Sequence, residues 1–276
     1  MKKNVLVKNF SILVLMLFTG FMLKAQPIVV ENFDYPVGSL LSANGYTSHS
    51  GTANFIAVTA PTINYAGYAS SGIGNEVSLV NTGEDVHKTF TPPTASVVYA
   101  SFLVNVTSAS TTGDYFFHLG QTTLGTTYRG RIFVMKDASE KIAFGISQSA
   151  NNSTTPGPNY SPFIYDVNTT YLIVLKFNIV AGESNDFSSI YINPTIGAPE
   201  PSTGWVTNID ASSSDLTEVG AFALRQGGSA SGPYLKIDGI RIATAWSDIV
   251  GGASAPSIAA SPNTLNGFTY VAGSGP

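Results

Sequence analysis

The feature that most constrains this fold is a two-residue alternation of apolar and polar side chains that recurs along the chain. In the segment from Val97 to Val106, the residues Ala100, Phe102 and Val104 fall on one side of an extended backbone. This period is typical of a strand with one buried face. A helical period is nowhere sustained long enough to predict a helix.

The same pattern predicts further strands at 114–119, 129–136, 141–147, 171–180, 187–192, 217–224 and 234–243. Polar turns at 137–140 and 181–186 each connect two of these strands into a predicted hairpin. Charged residues make up only 11% of the chain, which argues against disorder. About ten to twelve strands without helices predict an all-β fold, a two-sheet antiparallel jelly-roll sandwich.

The first 25 residues predict a secretory signal peptide. Lys2, Lys3 and Lys8 precede an apolar run at 10–23, and Ala25 offers a small residue for cleavage. The apolar run is shorter than the roughly 20 residues that span a bilayer, and no second run of that length follows. We therefore expect a secreted protein, extracellular or on the outer cell surface, without a membrane span after cleavage.

Charge and cysteine content exclude several classes of function. The predicted leader removes four of the 13 Lys and Arg residues and none of the 17 Asp and Glu residues, so the mature chain carries a net charge of −8. Such a chain is not expected to bind nucleic acid. Because the chain has no cysteine, disulfides and thiolate metal sites are excluded.

After the predicted leader, composition predicts one domain at 26–250. Residues 251–276 are predicted to be a linker followed by the truncated start of another domain. The Gly- and Ala-rich residues 250–256 read as the linker. Long polar loops are predicted at 150–162 and 194–208. The second loop contains Trp205, and we interpret it as a functional surface.

Two segments resemble known domain ends. Residues 31–41 read Glu-Asn-Phe-Asp-Tyr-Pro-Val-Gly-Ser-Leu-Leu, and residues 236–248 read Lys-Ile-Asp-Gly-Ile-Arg-Ile-Ala-Thr-Ala-Trp-Ser-Asp. Together they resemble the opening and closing strands of concanavalin A-like lectin/glucanase (LamG-like) domains in secreted, multidomain Bacteroidetes-type proteins. Residues 256–276 resemble the start of an immunoglobulin-like module, which often follows such domains in proteins exported by type IX secretion.

This resemblance implies a Ca²⁺ site where the first and last strands meet. Glu31, Asp34 and Asp238 lie in the two end segments and supply the oxygen ligands that a hard cation prefers. The alternative is that Asp34 and Asp238 accept hydrogen bonds from turn amides.

The sequence lacks the residue spacing that is typical of catalytic glutamates or metal-binding histidines. Laminarinase-type hydrolases of this fold carry a Glu-x-Asp-x-x-Glu strand, and this sequence has none. His49, His87 and His118 are far apart and lack ligand spacing, so we interpret each as a surface or strand residue.

A polysaccharide lyase would need Arg, Gln, His and Tyr clustered on one sheet face. Alternation places Asp114 and His118 on one predicted strand face and Arg129 and Arg131 on another, while Arg225 ends a further strand. These arginines could bind acidic sugars. The alternative is that they pair with acids across strands.

Sugar binding needs an aromatic platform, and Trp205 is the best candidate. Tyr46 and Trp246 are the others, although Trp246 in the closing segment is predicted to pack against the sandwich edge. The leading hypothesis is a non-catalytic carbohydrate-binding or adhesion module that binds an extracellular glycan, with further domains in the same chain. The alternatives are a polysaccharide hydrolase or lyase and a structural spacer domain.

Overall fold

The computed structural model describes residues 26–149, 157–209 and 213–251. Within these ranges the chain forms 15 strands, one 3-10 turn (Leu41–Ala43) and one short helix, α1 (Trp246–Val250). The strands are β1 (Val29–Glu31), β2 (Thr47–Ser50), β3 (Val58–Thr59), β4 (Glu76–Leu79), β5 (Asp85–Thr89), β6 (Val97–Ser108), β7 (Asp114–Gly120), β8 (Arg129–Lys136), β9 (Ile142–Ser147), β10 (Asn159–Tyr160), β11 (Thr170–Asn178), β12 (Phe187–Ile192), β13 (Val206–Asn208), β14 (Ala221–Leu224) and β15 (Tyr234–Ala243).

The strands form two antiparallel sheets. The eight-stranded sheet runs β13-β12-β11-β6-β15-β4-β3, with β1 also paired to β15. The seven-stranded sheet runs β10-β9-β8-β7-β14-β5-β2. They pack as a jelly-roll-like sandwich, which confirms the predicted fold class. The predicted leader (1–25) and all but the first residue of the predicted linker and second domain (251–276) lie outside the described residues.

Local pairing follows the sequence closely. Both predicted hairpins form, with Lys136 opposite Ile142 in one and Asn178 opposite Phe187 in the other. The loop expected at 194–208 is shorter than predicted, because Val206 pairs with Ile190 and begins β13. The loop expected at 150–162 likewise includes β10, which pairs with β9.

The core between the sheets is built on phenylalanines. Phe102 from the eight-stranded sheet stacks on Phe117 at 4.7 Å between ring centroids, and Phe117 lies 6.1 Å from Phe222. All three are fully buried. Burying each side chain contributes about 2–3 kcal/mol, so stacked rings from three strands hold the two sheets together.

A second apolar cluster lies on the outer face of the eight-stranded sheet. Helix α1 covers Tyr99 and Tyr191 there, with Trp246 4.9 Å from the Tyr191 ring. The Trp246 indole nitrogen donates to the Ala198 carbonyl at 3.0 Å. Trp246 is therefore a packing residue, and it packs on the sheet face.

β-Bulges change which side chains of β7 and β8 share a face. Tyr115 pairs with Phe133, Phe117 with Ile132 and Leu119 with Arg129. These steps leave one extra residue in β7 (Phe116) and one in β8, beside Gly130 at φ 58°. A one-residue insertion reverses the alternation beyond it.

The predicted same-face pair of Arg129 and Arg131 is therefore wrong. Directly opposed residues share a face, and Arg129 opposes the core residue Leu119. Asp114 begins β7 opposite Val134, and its carboxylate reaches Arg225. His118 opposes Ala223 on the outer side, and Arg131 stands beside Tyr115 there.

Candidate functional site

A cleft of about 410 Å³ lies on the outer face of the eight-stranded sheet, and we call it the Trp205 cleft. Strands β11, β12 and β13 form its floor, and the segment around Glu200 and Pro201 forms its wall. Its lining residues are Lys176, Asn178, Phe187, Ser189, Tyr191, Glu200, Pro201, Trp205 and Thr207.

Trp205 is the exposed end of an aromatic row. Its side chain is 36% exposed, and its ring lies 5.7 Å from that of Tyr191 at an interplanar angle of 45°. Tyr191 in turn packs on the buried Trp246. The row fixes Trp205 from behind while its indole stays open to solvent.

Glu200 is the polar centre of the cleft. Its carboxylate accepts hydrogen bonds from Lys176 Nζ at 2.7 Å, from Tyr99 Oη at 2.7 Å and from the Tyr191 hydroxyl. Burial acts to raise the pKa of Glu200, but these three donors outweigh it and lower the pKa. The carboxylate is therefore ionised at neutral pH and held in place.

A different group of residues, the histidine cluster, lies on the outer face of the seven-stranded sheet. It comprises His49, His87 and His118 with Tyr115, Tyr128, Arg131 and Arg225. His87 and His118 both oppose Ala223, from β5 and from β7, so the three residues form a row across neighbouring strands. The His49 ring lies 5.1 Å from that of His87 and 6.1 Å from that of His118.

His118 is fully buried in this cluster. Its ring stacks on Tyr128 at 4.2 Å, and its Nδ1 lies 3.2 Å from the Leu119 carbonyl. Within the described ranges its Nε2 has no hydrogen-bond partner. Burial lowers its pKa well below the usual value, and Arg131 and Arg225 add to this. The ring is therefore neutral, with Nδ1 donating and Nε2 left as an acceptor.

Two of the three predicted arginines belong to the cluster. The Arg131 and Arg225 guanidinium carbons lie 5.0 Å and 3.9 Å from the Tyr115 ring centre. Arg225 also pairs with Asp114 at 2.8 Å. The third, Arg129, is turned away and donates to the Ser214 and Tyr128 carbonyls. Of the predicted ligand-binding residues, His118, Arg131 and Arg225 come together, Arg129 points elsewhere, and Trp205 lies on the opposite sheet.

The carboxylates predicted to bind calcium do not fit such a site. Glu31 opposes the core residue Ile240, whereas Asp238 opposes Leu103, which belongs to the outer cluster, so the two lie on opposite faces of the sheet. Asp34 is exposed.

Both buried carboxylates are already engaged. Glu31 accepts from Phe33 N at 2.8 Å, from Tyr35 Oη at 2.9 Å and from Lys88 Nζ at 2.5 Å. Asp238 accepts from Thr62, Ile63 and Gly239. Calcium binding stays a prediction for a titration to decide.

Neither a multi-ligand metal centre nor a membrane span is found in the described parts of the chain. No three or more His, Asp, Glu or Cys residues are arranged there to hold a metal ion. The helix in those parts falls short of the length and apolarity that crossing a bilayer requires.

Sequence reasoning missed the convergence of His49 and His87 with His118. These are the only histidines of the chain, but 38 positions separate the first two. Only the pairing of β2 with β5 and of β5 and β7 with β14 brings them together. Strand order of this kind leaves no local spacing signal.

Comparisons with known proteins gave only distant structural similarities. No family model and no curated protein matches the chain. One similar structure is the binding domain of botulinum neurotoxin DC in complex with SialylT, at 12% identity and a TM-score of 0.42. Its alignment covers 79% of this chain and 48% of that one, so this chain spans about half the length of the neurotoxin domain.

Two others are alginate lyase vAL-1 from Chlorella virus and domain 4 of AbnA, a GH43 extracellular arabinanase from Geobacillus stearothermophilus, in complex with arabinotriose. The lyase has 10% identity, a TM-score of 0.45 and coverage of 79% and 99%. The arabinanase domain has 14% identity, a TM-score of 0.39 and coverage of 79% and 91%.

Proposed function

We propose that this domain is a non-catalytic carbohydrate-binding module whose binding site is the Trp205 cleft. The observation that carries the proposal is a partly exposed tryptophan, fixed from behind by Tyr191, in an open cleft with a held carboxylate and an ammonium group. This combination offers an apolar platform beside hydrogen-bonding groups.

The chemistry of a sugar ring matches this arrangement. Its C–H face is apolar and stacks on an indole, while its hydroxyls donate to carboxylates and accept from ammonium groups. Glu200 and Lys176 supply both kinds of partner, and Ser189 and Thr207 add hydroxyls at the cleft floor. A volume of about 410 Å³ falls within the roughly 300–1,000 Å³ of small-molecule sites, so the cleft takes a short stretch of a longer glycan.

The proposal includes the setting in which the module acts. The signal-like residues 1–25 support export to the cell exterior. The end segments 31–41 and 236–248 support membership of the concanavalin A-like, LamG-like group. Type IX secretion and further domains after residue 251 belong to the same proposal.

Binding to a panel of neutral and acidic polysaccharides tests the proposal, with residues 26–276, the predicted mature chain, in the presence of calcium and of a chelator. We expect retention by one polysaccharide class, without release of fragments. Trp205→Ala should weaken retention at least tenfold. Phe163→Ala is the matched control, because Phe163 is 37% exposed and does not line the cleft. Retention that Trp205→Ala leaves unchanged would refute the cleft, and no retention on any polysaccharide would favour the spacer alternative.

The histidine cluster supports a second candidate function, a polysaccharide lyase. Neutral His118, with its free Nε2 acceptor, stands beside Tyr115, Tyr128 and Arg131. These are groups that bind an acidic sugar and accept a proton from it. Two observations oppose this role: His118 is fully covered, and Arg225 is paired with Asp114. Release of unsaturated uronate fragments that His118→Gln abolishes would establish the lyase.

A further inference from the structure

His49 and His87 place two ring nitrogens unusually close together. The Nδ1 atoms lie 3.2 Å apart, and the rings cross at 64°. Two imidazole nitrogens that bind one tetrahedral metal ion at about 2.0–2.1 Å lie roughly 3.3 Å from each other. The observed separation therefore suits a shared ion as well as it suits a hydrogen bond between the rings.

The pairing of edge strand β2 with β5 places His49 near His87, at a β-bulge. In the pairing of edge strand β2 with β5, Thr47 opposes His87 and Ser48 opposes Val86, but Ser50 opposes Asp85. His49 is the inserted residue. Bulges redirect side chains and are common beside functional sites. Thr47 opposes His87 and Ser48 opposes the core residue Val86, so alternation places His49 on the outer face beside the row formed by His87, Ala223 and His118.

We propose that His49 and His87 form a binding site for a divalent transition-metal ion such as Zn²⁺. No larger ligand group exists among the described residues, so the ion takes two protein nitrogens and completes its shell with water or with donor atoms of a bound ligand. Imidazole nitrogen favours Zn²⁺, Ni²⁺ and Cu²⁺ over Ca²⁺ and Mg²⁺, which prefer oxygen. His49 is only half-buried, so the site opens toward solvent beside Tyr128.

Isothermal titration calorimetry of residues 26–276, without an added histidine tag, tests the site. We expect one Zn²⁺ per chain near pH 7 and no heat of binding from Ca²⁺ at this site. His49→Ala and His87→Ala should each weaken Zn²⁺ binding at least tenfold. Glu140→Gln is the control and should change the affinity less than threefold, because Glu140 is 67% exposed and pairs with Lys136 rather than with the histidine cluster. Circular dichroism of each variant verifies that it folds.

An NMR titration of the wild-type chain gives a readout that needs no variant. Zn²⁺ should shift the ring signals of His49 and His87 together at one equivalent. Absence of Zn²⁺ binding, or binding that survives the double change His49→Ala/His87→Ala, would overturn the proposal. Because the Trp205 cleft lies on the opposite sheet, glycan retention is measured independently, and either proposal can fail without the other.

Discussion

The buried ion pair of Glu31 gives the sharpest prediction, with Glu31→Gln as the perturbation. The Glu31 side chain is 4% exposed, and its carboxylate receives Lys88, the Tyr35 hydroxyl and the Phe33 amide. Phe33 has a left-handed φ of 49°, an uncommon conformation for a residue other than glycine. The Glu31 contact with its amide helps to hold that conformation. A glutamine can still accept from the Phe33 amide, but its own amide group faces the Lys88 ammonium.

The burial of this ion pair sets the expected loss of unfolding free energy in Glu31→Gln. Removing one partner of a buried ion pair costs about 3–5 kcal/mol. Because the Lys88 side chain is 27% exposed, water partly solvates its ammonium group in the variant. The expected loss of unfolding free energy is therefore about 2–3 kcal/mol. For a domain of this size, that corresponds to a fall in Tm of about 5–10 °C.

The loss of unfolding free energy is measured by thermal and urea unfolding of the wild type and the variant. Each protein is measured once with Ca²⁺ and once with a chelator. Glu140→Gln is the control, because the Lys136–Glu140 pair leaves Glu140 67% exposed and its loss should cost less than about 1 kcal/mol. We expect Glu31→Gln to be destabilised equally in both solutions. A variant as stable as the wild type would refute the structural role. A wild-type Tm that rises with Ca²⁺, and a rise that Glu31→Gln abolishes, would restore the calcium site.

Three further predictions concern other positions. Burial raises the pKa of Asp238 to about 7 despite three hydrogen bonds, so the free energy of unfolding should fall as pH rises from about 4 to 7. In urea unfolding over that range, the wild type should lose a few kcal/mol relative to Asp238→Asn. A difference that stays constant with pH would contradict this. Gly74→Ala should lower Tm by several degrees, because Gly74 has φ +68° and a Cβ would lie 2.1 Å from the Asn32 carbonyl oxygen; an unchanged Tm in differential scanning calorimetry would show that the loop adapts. Phe102→Ala should cost about 3–5 kcal/mol in urea unfolding, and a loss below 1 kcal/mol would mean that Phe102 does not join the sheets.

Local pattern was enough to predict the long strands and the hairpins that join chain neighbours. The strand at 234–243 and the 137–140 hairpin follow from alternation and turn residues, which act within a few positions of the chain. The bulges at Phe116 and beside Gly130 carry no such signal, since one extra residue is invisible in a sequence of alternating side chains. For that reason the sequence predicted the β7 and β8 strands correctly but wrongly placed Arg129 and Arg131 on one face.

Some residues of the candidate sites could likewise be predicted from local sequence, and others could not. Trp205 could be selected from its residue type and its loop, because a large aromatic ring in a polar segment is unusual wherever the loop folds. The partners of Trp205 and the neighbours of His118 depend on long-range register: Glu200 reaches Tyr99 across 101 positions, and His87 meets His118 only through β14. No single-sequence argument supplies that register.

Hydrogen bonding differs between two buried carboxylates of this domain and its buried histidine. Glu31 and Asp238 are buried carboxylates whose neighbours donate to them, and such closed networks are what stability alone requires. His118 is as buried as they are, but its Nε2 lacks a partner within the described ranges. An unsatisfied buried acceptor costs about 1–3 kcal/mol, and a sequence selected only for folding would replace it with an apolar side chain. The same cost arises at Asn32 Oδ1 and Asp186 Oδ2 within the described ranges, so the unmet acceptor marks His118 only together with the rings of Tyr128 and His49 that converge on it.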